Sequence, residues 1–271
     1  RRSISVKISR ADRIYDEHRE TIDELVEFFI QRGRLPRRDE SIDLQHRLRD
    51  AVGGLRRAWS VVRNVTEGTD WEAITAGRCD DLLVDLALLK LNRRPNFMAL
   101  PEATRHDIKE FFGSYKQATA EADQLLFSSG NTELVDETAN AATVGKRLPT
   151  ALYVHESALS DLAPVLRVYE GCARWVVGEI DDANVIKLAT NKPKVSYLSY
   201  PKFDKEPHPA LRETIFVRLW NLDVDWRSYE DSTNRPILHR KEQFVADDYP
   251  LRNRFVRLTE QEERFQIYDT D

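Results

Sequence analysis

The sequence predicts an α+β protein, with a mainly helical N-terminal half followed by a mixed half built on a small antiparallel sheet. Apolar residues recur at helical spacing through the first half of the 271 residues, and beyond Gly178 the apolar period changes from about 3.6 to about 2. With 41% hydrophobic residues, the chain has enough apolar surface to form a core. We therefore expect a helical domain over residues 1–150 and an α+β domain over residues 151–271.

The first half contains several amphipathic stripes with i, i+3, i+4 spacing. Gly53-Gly54 and Gly113-Ser114 interrupt two of them, so we expect bends or breaks at these points. Asp80 or Asp81 is suited to cap a helix that starts at residue 82. Helices are expected over residues 12–33, 41–64, 70–76, 82–91, 101–127, 133–142 and 161–178.

The second half shows strand patterns. Residues 185–188 and 195–200 are short apolar strands. Residues 215–226 alternate most regularly, and we expect one strand there with a single apolar face. Thr259-Glu-Gln-Glu262 has the spacing of a capping box, which predicts a terminal helix over residues 258–268.

Charge and cysteine content narrow the classes of function. The net charge of −5 excludes a globally basic nucleic-acid binder, although arginines cluster locally. No apolar run approaches the roughly 18 residues of a membrane span. Cys79 and Cys172 form no CxxC motif and are expected to be free thiols. Because the first residues also lack an apolar signal segment, we expect a cytoplasmic protein.

Two proline-containing polar blocks, residues 197–209 and 234–250, form the candidate site. Because proline restricts the backbone, we expect the blocks to fold against each other into one recess, with His208 and His239 as neighbours. Imidazoles and carboxylates serve both acid–base catalysis and divalent-metal binding, although this spacing matches no metal motif. Ordinary hydrogen-bonded loop residues are the alternative. The catalytic candidates are His208, His239 and Glu242, and the metal-ligand candidates are Asp204, His208, His239 and Glu242.

The same blocks contain groups that bind nucleic acid. Basic side chains contact phosphates, and aromatic rings stack on exposed bases. The candidates are Arg235, Arg240, Lys241, Tyr197, Tyr200, Phe203 and Tyr249. The alternative is that the tyrosines cover the edge of the sheet and that the basic residues are solvated surface charge.

Several motifs, in order along the chain, carry a resemblance to a known family. They include Gly54-Leu-Arg-Arg-Ala-Trp59, Phe111-Phe-Gly-Ser-Tyr-Lys116 and Pro236-Ile-Leu-His-Arg-Lys-Glu242. The matching segments are residues 54–59, 78–88, 111–116, 122–127, 151–155, 166–173, 186–188, 195–198, 207–211, 236–242 and 258–263. Together they resemble the C-terminal region of the DNA phosphorothioation-associated methyltransferases, bacterial proteins encoded beside the Dnd sulfur-modification genes.

The resemblance implies a methyltransferase domain ahead of this region. The start at Arg1-Arg2, without an initiator Met, fits a chain that follows such a domain. We expect S-adenosylmethionine only in that preceding domain, and no cofactor in this segment, because the chain has no glycine-rich turn after a strand. The resemblance transfers no catalytic residues, so it leaves open whether this segment is an enzyme.

Three hypotheses follow. The chain is an accessory module that binds DNA or docks the Dnd sulfur-modification proteins within a DNA-modification and restriction system. Alternatively, it is a metal-assisted nucleic-acid hydrolase that acts through His208, His239 and Glu242. A third possibility is a protein-interaction scaffold without chemistry.

Overall fold

The computed structural model describes residues 9–265 of the chain, which form two compact units. The first unit contains the described part of Arg1–Leu82 together with Pro95–Ala118. The second contains Leu83–Arg94 and the described part of Thr119–Asp271. The α-helices are α1 (Arg10–Glu17), α2 (Arg19–Arg32), α3 (Ile42–Val52), α4 (Leu55–Val65), α5 (Trp71–Leu89), α6 (Glu102–Phe111), α7 (Tyr115–Ser128), α8 (Thr132–Ala141), α9 (Pro164–Val177) and α10 (Arg252–Arg264).

The core of the first unit is formed by α1 to α4. Fully buried Leu25 of α2 and Leu48 of α3 belong to one apolar cluster. The Phe29 ring stacks on Trp59 at a centroid distance of 4.3 Å, which extends the apolar core with aromatic contacts. Gly53 and Gly54 both have positive φ, which only glycine adopts readily, so the expected break between α3 and α4 is confirmed.

Six strands in the second unit form an antiparallel meander in the order β1-β2-β3-β4-β5-β6. This sheet and the helices before it confirm the predicted α+β class. The strands are β1 (Lys146–Leu148), β2 (Ala151–His155), β3 (Val185–Ala189), β4 (Lys194–Ser199), β5 (Glu213–Arg218) and β6 (Asp223–Ser228).

Each face of the sheet is covered by a different part of the chain. On one face, Ile186 and Tyr197 pack with Leu166 of α9. On the other face, Val185 and Leu198 pack with residues of the C-terminal loops and α10, among them Phe203, Leu211, Leu238, Phe244, Val245 and Phe255. This second layer brings the two polar blocks onto the sheet and positions the candidate site.

The expected single strand over residues 215–226 is wrong, because the chain reverses at residues 219–222. Leu222 has a φ of 59°, and Asn221 Oδ1 accepts a hydrogen bond from the Asp223 amide. The result is the hairpin β5–β6, in which Ile215 pairs with Trp226. Alternation continues through the hairpin, so the pattern alone did not reveal the turn.

Helix boundaries were wrong in two further places. Residues 70–76 and 82–91 belong largely to the continuous helix α5. Asp80 and Asp81 therefore lie in the interior of a helix, and the expected N-cap at this point is wrong. Helix α10 starts at Arg252, which places Thr259 in its interior. Residues 266–268 of the expected terminal helix lie outside the described residues. Within residues 9–265, no helix combines the length and apolar character needed to cross a membrane.

Candidate nucleic-acid interface

The two polar blocks do fold against each other. Ala210 and Ile237 form an antiparallel bridge, and the Leu211 amide donates to the Pro236 carbonyl at 2.8 Å. The imidazoles of His208 and His239 consequently lie 4.5 Å apart between ring centroids, as the sequence led us to expect. We call these two residues the histidine pair.

A buried glutamate of α10 completes the histidine pair. Glu262 Oε1 lies 2.7 Å from His208 Nε2. Burial lowers the pKa of His239, and the neighbouring His208 lowers it further, because each imidazolium disfavours the other. Glu262 was read from the sequence as half of a capping box, and only its position inside α10 turns it toward His208.

The metal-ligand candidates do not assemble into a ligand set. Glu242 accepts a hydrogen bond from Thr259 Oγ1 at 2.9 Å, and Asp204 accepts one from the Tyr249 hydroxyl at 2.7 Å. Among the residues the structure describes, no three of Asp204, His208, His239 and Glu242 bring their ligand atoms within 4.8 Å of one another. The carboxylates therefore serve as hydrogen-bond acceptors that fix neighbouring side chains.

Three of the four aromatic candidates lie in the core. Tyr197, Tyr200 and Phe203 are buried, and the Tyr197 hydroxyl donates to Glu170 Oε1 at 3.0 Å. Their rings leave no free face on which a base could stack, which corrects their assignment to a nucleic-acid surface. Only Tyr249 is partly exposed, and it donates its hydroxyl proton to Asp204.

Lys241 is also a structural residue, although it was predicted to contact phosphate. It is only 3% exposed, and its Nζ donates to the carbonyls of Phe203 at 2.6 Å and Glu206 at 2.7 Å. Burial lowers its pKa to about 8. Of the other two predicted basic residues, Arg240 pairs with Glu263 at 3.1 Å and Arg235 donates to the Glu230 carbonyl.

Two further basic residues of this region lie on α10. Arg254 and Arg257 are exposed and stand three positions apart, so they share one side of the helix. Within residues 9–265, neither has a carboxylate at ion-pair distance, and the first turn of α10 holds no acid. We call these two residues the arginine face. The sequence does contain this signal as Arg252-Asn-Arg-Phe-Val-Arg257, but we overlooked it because we placed the helix start at residue 258.

The arginine face lines a pocket of about 320 Å³. Its other lining residues include Glu206, Lys241, Phe255 and Gln261. The two arginines and the start of α10 bring positive charge to this pocket, and Glu206, which pairs with Lys202, also lines it.

A second pocket, of about 360 Å³, lies beside β1 and contrasts with the first. Its arginines are compensated, because Arg147 pairs with Asp136 at 2.5 Å and Arg252 pairs with Asp247 at 3.3 Å. Lys146 also lines this second pocket, so the contrast between the two pockets concerns their arginines.

Comparison with protein-family models, with characterised proteins and with solved structures finds no match to this chain. The chemistry of the site therefore rests on its geometry, which offers two arginines without carboxylate partners among the described residues, and the histidine pair, whose His208 follows Pro207 of the pocket in the chain.

Proposed function

We propose that this chain is a non-catalytic module that binds the DNA backbone in the context of a phosphorothioation-linked methyltransferase. The observation that supports the proposal is the arginine face: Arg254 and Arg257 line a pocket beside α10, and among residues 9–265 neither has a carboxylate at ion-pair distance. Guanidinium groups bind phosphate oxygens in bidentate fashion, and phosphate contacts supply most sequence-independent DNA affinity. The motif resemblance supplies the biological context, and cytoplasmic location follows from DNA as the partner.

In this proposal S-adenosylmethionine binds to a separate methyltransferase domain and the present chain holds the substrate. Contacts to phosphate carry no sequence information, so the module positions DNA and leaves the choice of target to other parts of the system. Sulfur replaces a non-bridging oxygen in a phosphorothioate, so a surface that binds the DNA backbone would also contact the modified phosphate.

The test is a titration of duplex DNA at several salt concentrations, with and without a phosphorothioate linkage. The affinity falls as the salt concentration rises. For the double variant Arg254→Gln/Arg257→Gln, we expect the slope of log affinity against log salt to become shallower by about 2, because two phosphate contacts are lost. The control is Lys192→Gln/Arg227→Gln, which removes the same charge from exposed positions in the second unit. If both double variants lose affinity equally, or if the unchanged chain binds no DNA, the proposal is wrong.

A second candidate function rests on strand β6. Every residue of β6 is exposed, and Trp220 and Trp226 are 57% and 62% exposed. Trp220 lies in the turn before β6 and Trp226 lies within it, beside charged Asp225 and Arg227, and an exposed edge strand offers unpaired backbone groups to a partner. We infer that an extended segment of a Dnd sulfur-modification protein adds to this edge as a further strand.

This second candidate is tested by sedimentation of the chain mixed with each purified sulfur-modification protein. Trp220→Ser/Trp226→Ser should abolish the complex, whereas Trp175→Ser, which changes a 47% exposed tryptophan on α9, should leave it intact. Self-association of the chain alone, or a complex that survives the double substitution, would contradict this assignment.

A further inference from the structure

We propose that the first unit carries a binding site for a divalent transition-metal ion, formed by Asp39, Glu102 and His106. One carboxylate oxygen from each acid and one imidazole nitrogen all lie within 4.8 Å of one another. We call these three residues the acidic histidine cluster. The site is independent of the DNA-binding proposal, because all its residues belong to the first unit.

Local structure brings the three ligands together. Glu102 and His106 are four positions apart at the start of α6, so their side chains lie on one side of that helix. Asp39 comes from the loop between α2 and α3. Gln45 fixes this loop, because its Nε2 donates to the carbonyls of Arg37 and Glu40 at 2.6 Å each. The ligand positions are therefore set before any ion binds.

The spacing of one pair of ligand atoms matches that in a metal site. His106 Nε2 lies 3.3 Å from Asp39 Oδ2. With metal–ligand bonds of about 2.0 Å, two corners of a tetrahedral site are about 3.3 Å apart.

A buried carboxylate lies behind the histidine. The His106 side chain is only 9% exposed, and its Nδ1 lies 3.1 Å from Glu40 Oε1 at an angle outside hydrogen-bond geometry. Glu40 is itself held by the Arg34 guanidinium at 2.6 and 2.9 Å. Metal-ligating histidines usually present their second nitrogen to such a carboxylate, which turns the other nitrogen toward the ion.

The charge around the site favours a cation. Asp39 and Glu102 are exposed, and within residues 9–265 neither lies at ion-pair distance from an arginine or lysine. The nearby Arg34 is committed to Glu40 and Asp107. Two formal negative charges therefore face the lone pair of His106 Nε2. A transition metal suits this mixed nitrogen and oxygen set, and the exposed side leaves room for water as the remaining ligand.

The alternative is that a proton takes the place of the metal, with an imidazolium bridging Glu40 and Asp39. Metal titration separates the two readings. We would remove any affinity tag, strip the chain with a chelator and titrate it with Zn²⁺ alone by calorimetry. We expect one ion per chain, a higher melting temperature, and a shift of the His106 imidazole nitrogen signal in NMR spectra.

The variants Asp39→Asn and Glu102→Gln change exposed ligands and keep side-chain size, so they should fold. Each should weaken Zn²⁺ binding by about tenfold or more, since each removes one direct ligand. Glu110→Gln is the matched control on the same helix and should bind as the unchanged chain does. The proposal is overturned if Zn²⁺ does not bind, if both ligand variants bind normally, or if Mg²⁺ binds as tightly as Zn²⁺, because the last result would exclude the imidazole as a ligand.

Discussion

The acidic histidine cluster of the first unit and the histidine pair of the second unit use the same groups in opposite surroundings. Both place an imidazole beside a buried glutamate, Glu40 in one case and Glu262 in the other. Around His106 the carboxylates of Asp39 and Glu102 have no arginine or lysine partner among the described residues, whereas the charges near the histidine pair include Lys146 and Arg240. The difference teaches that the neighbouring charges, more than the histidines themselves, decide whether a site attracts a cation or an anion.

The arginines show the same contrast. Arg34 is buried and uses its guanidinium on Glu40 and Asp107, so it neutralises acids and has no donor left for a ligand. Arg254 and Arg257 are exposed at the start of a helix and keep their donors available. An arginine therefore contributes to structure or to binding according to its partners. The first of the four predictions below tests this at Arg34, and the other three test buried or paired groups of the second unit.

The largest effect is expected at Arg34. Arg34→Met removes the cation shared by Glu40 and Asp107 and leaves Asp107 only its longer contact with Arg32, so the free energy of unfolding should decrease by about 3–5 kcal/mol. Urea unfolding measures this loss. Arg32→Gln is the control, because Arg32 contacts Asp107 from a half-exposed position and its loss should cost less than about 1 kcal/mol. Equal losses in both variants would contradict the structural role of Arg34.

The pKa of His155 is set mainly by burial. The His155 ring packs against Phe203 at 4.5 Å between ring centroids, and burial lowers its pKa to about 4. At a pH between that value and 6.5, the ordinary pKa of histidine, His155 is protonated in the unfolded chain and neutral in the folded chain. Stability contributed by His155 is therefore complete above pH 6.5 and is lost as the pH falls toward 4, by at most about 3 kcal/mol.

Urea unfolding of the unchanged chain and of His155→Asn, at pH 7.5 and at pH 5, tests this linkage. In the unchanged chain, His155 Nδ1 accepts a hydrogen bond from the Ser157 amide at 3.1 Å. The side-chain oxygen of asparagine can accept the same hydrogen bond. The variant should lose less stability between the two pH values than the unchanged chain. The same loss in both would show that His155 titrates normally.

A substitution at Lys241 tests whether this cation stabilises the fold or binds DNA. Lys241→Met leaves the carbonyls of Phe203 and Glu206 without their donor, so unfolding should become easier by about 1–3 kcal/mol. Lys202→Met is the control, because its pair with Glu206 is exposed and should contribute less than about 1 kcal/mol. Thermal unfolding measures both, and a salt dependence of DNA binding that changes with Lys241 would assign it to the interface after all.

The smallest effect is expected at Glu262. Glu262→Gln removes the charge that raises the pKa of His239, so that pKa should decrease further below its ordinary value. Titration of the histidine ring protons by NMR measures the change, and Glu260→Gln on the exposed side of α10 is the control. An unchanged His239 pKa in Glu262→Gln would show that the glutamate does not act on the histidine pair.

Local sequence rules predicted much of the fold. The break at Gly53-Gly54 followed from residues that favour left-handed backbone, and the proline-containing blocks were correctly expected to bring His208 and His239 together. The turn at residues 219–222 and the continuity of α5 were missed, because alternation and helical spacing continue across these points. The Glu102-x-x-x-His106 spacing was visible in the sequence, but it became a candidate site only once Asp39 was placed beside it.

The sequence by itself determined the class of fold, most helices and the chemistry available to each segment, because propensity and periodicity are local properties. Only the tertiary structure decided which polar groups are free to bind. Tyr197 and Lys241 are buried and therefore do not belong to the predicted interface. Arg254 and Arg257 are exposed and have no acidic partners among the described residues, so they are assigned to it instead. Burial and charge compensation depend on residues distant in the chain, such as Lys241 and Phe203, and these contacts set the free energy of each ionised group.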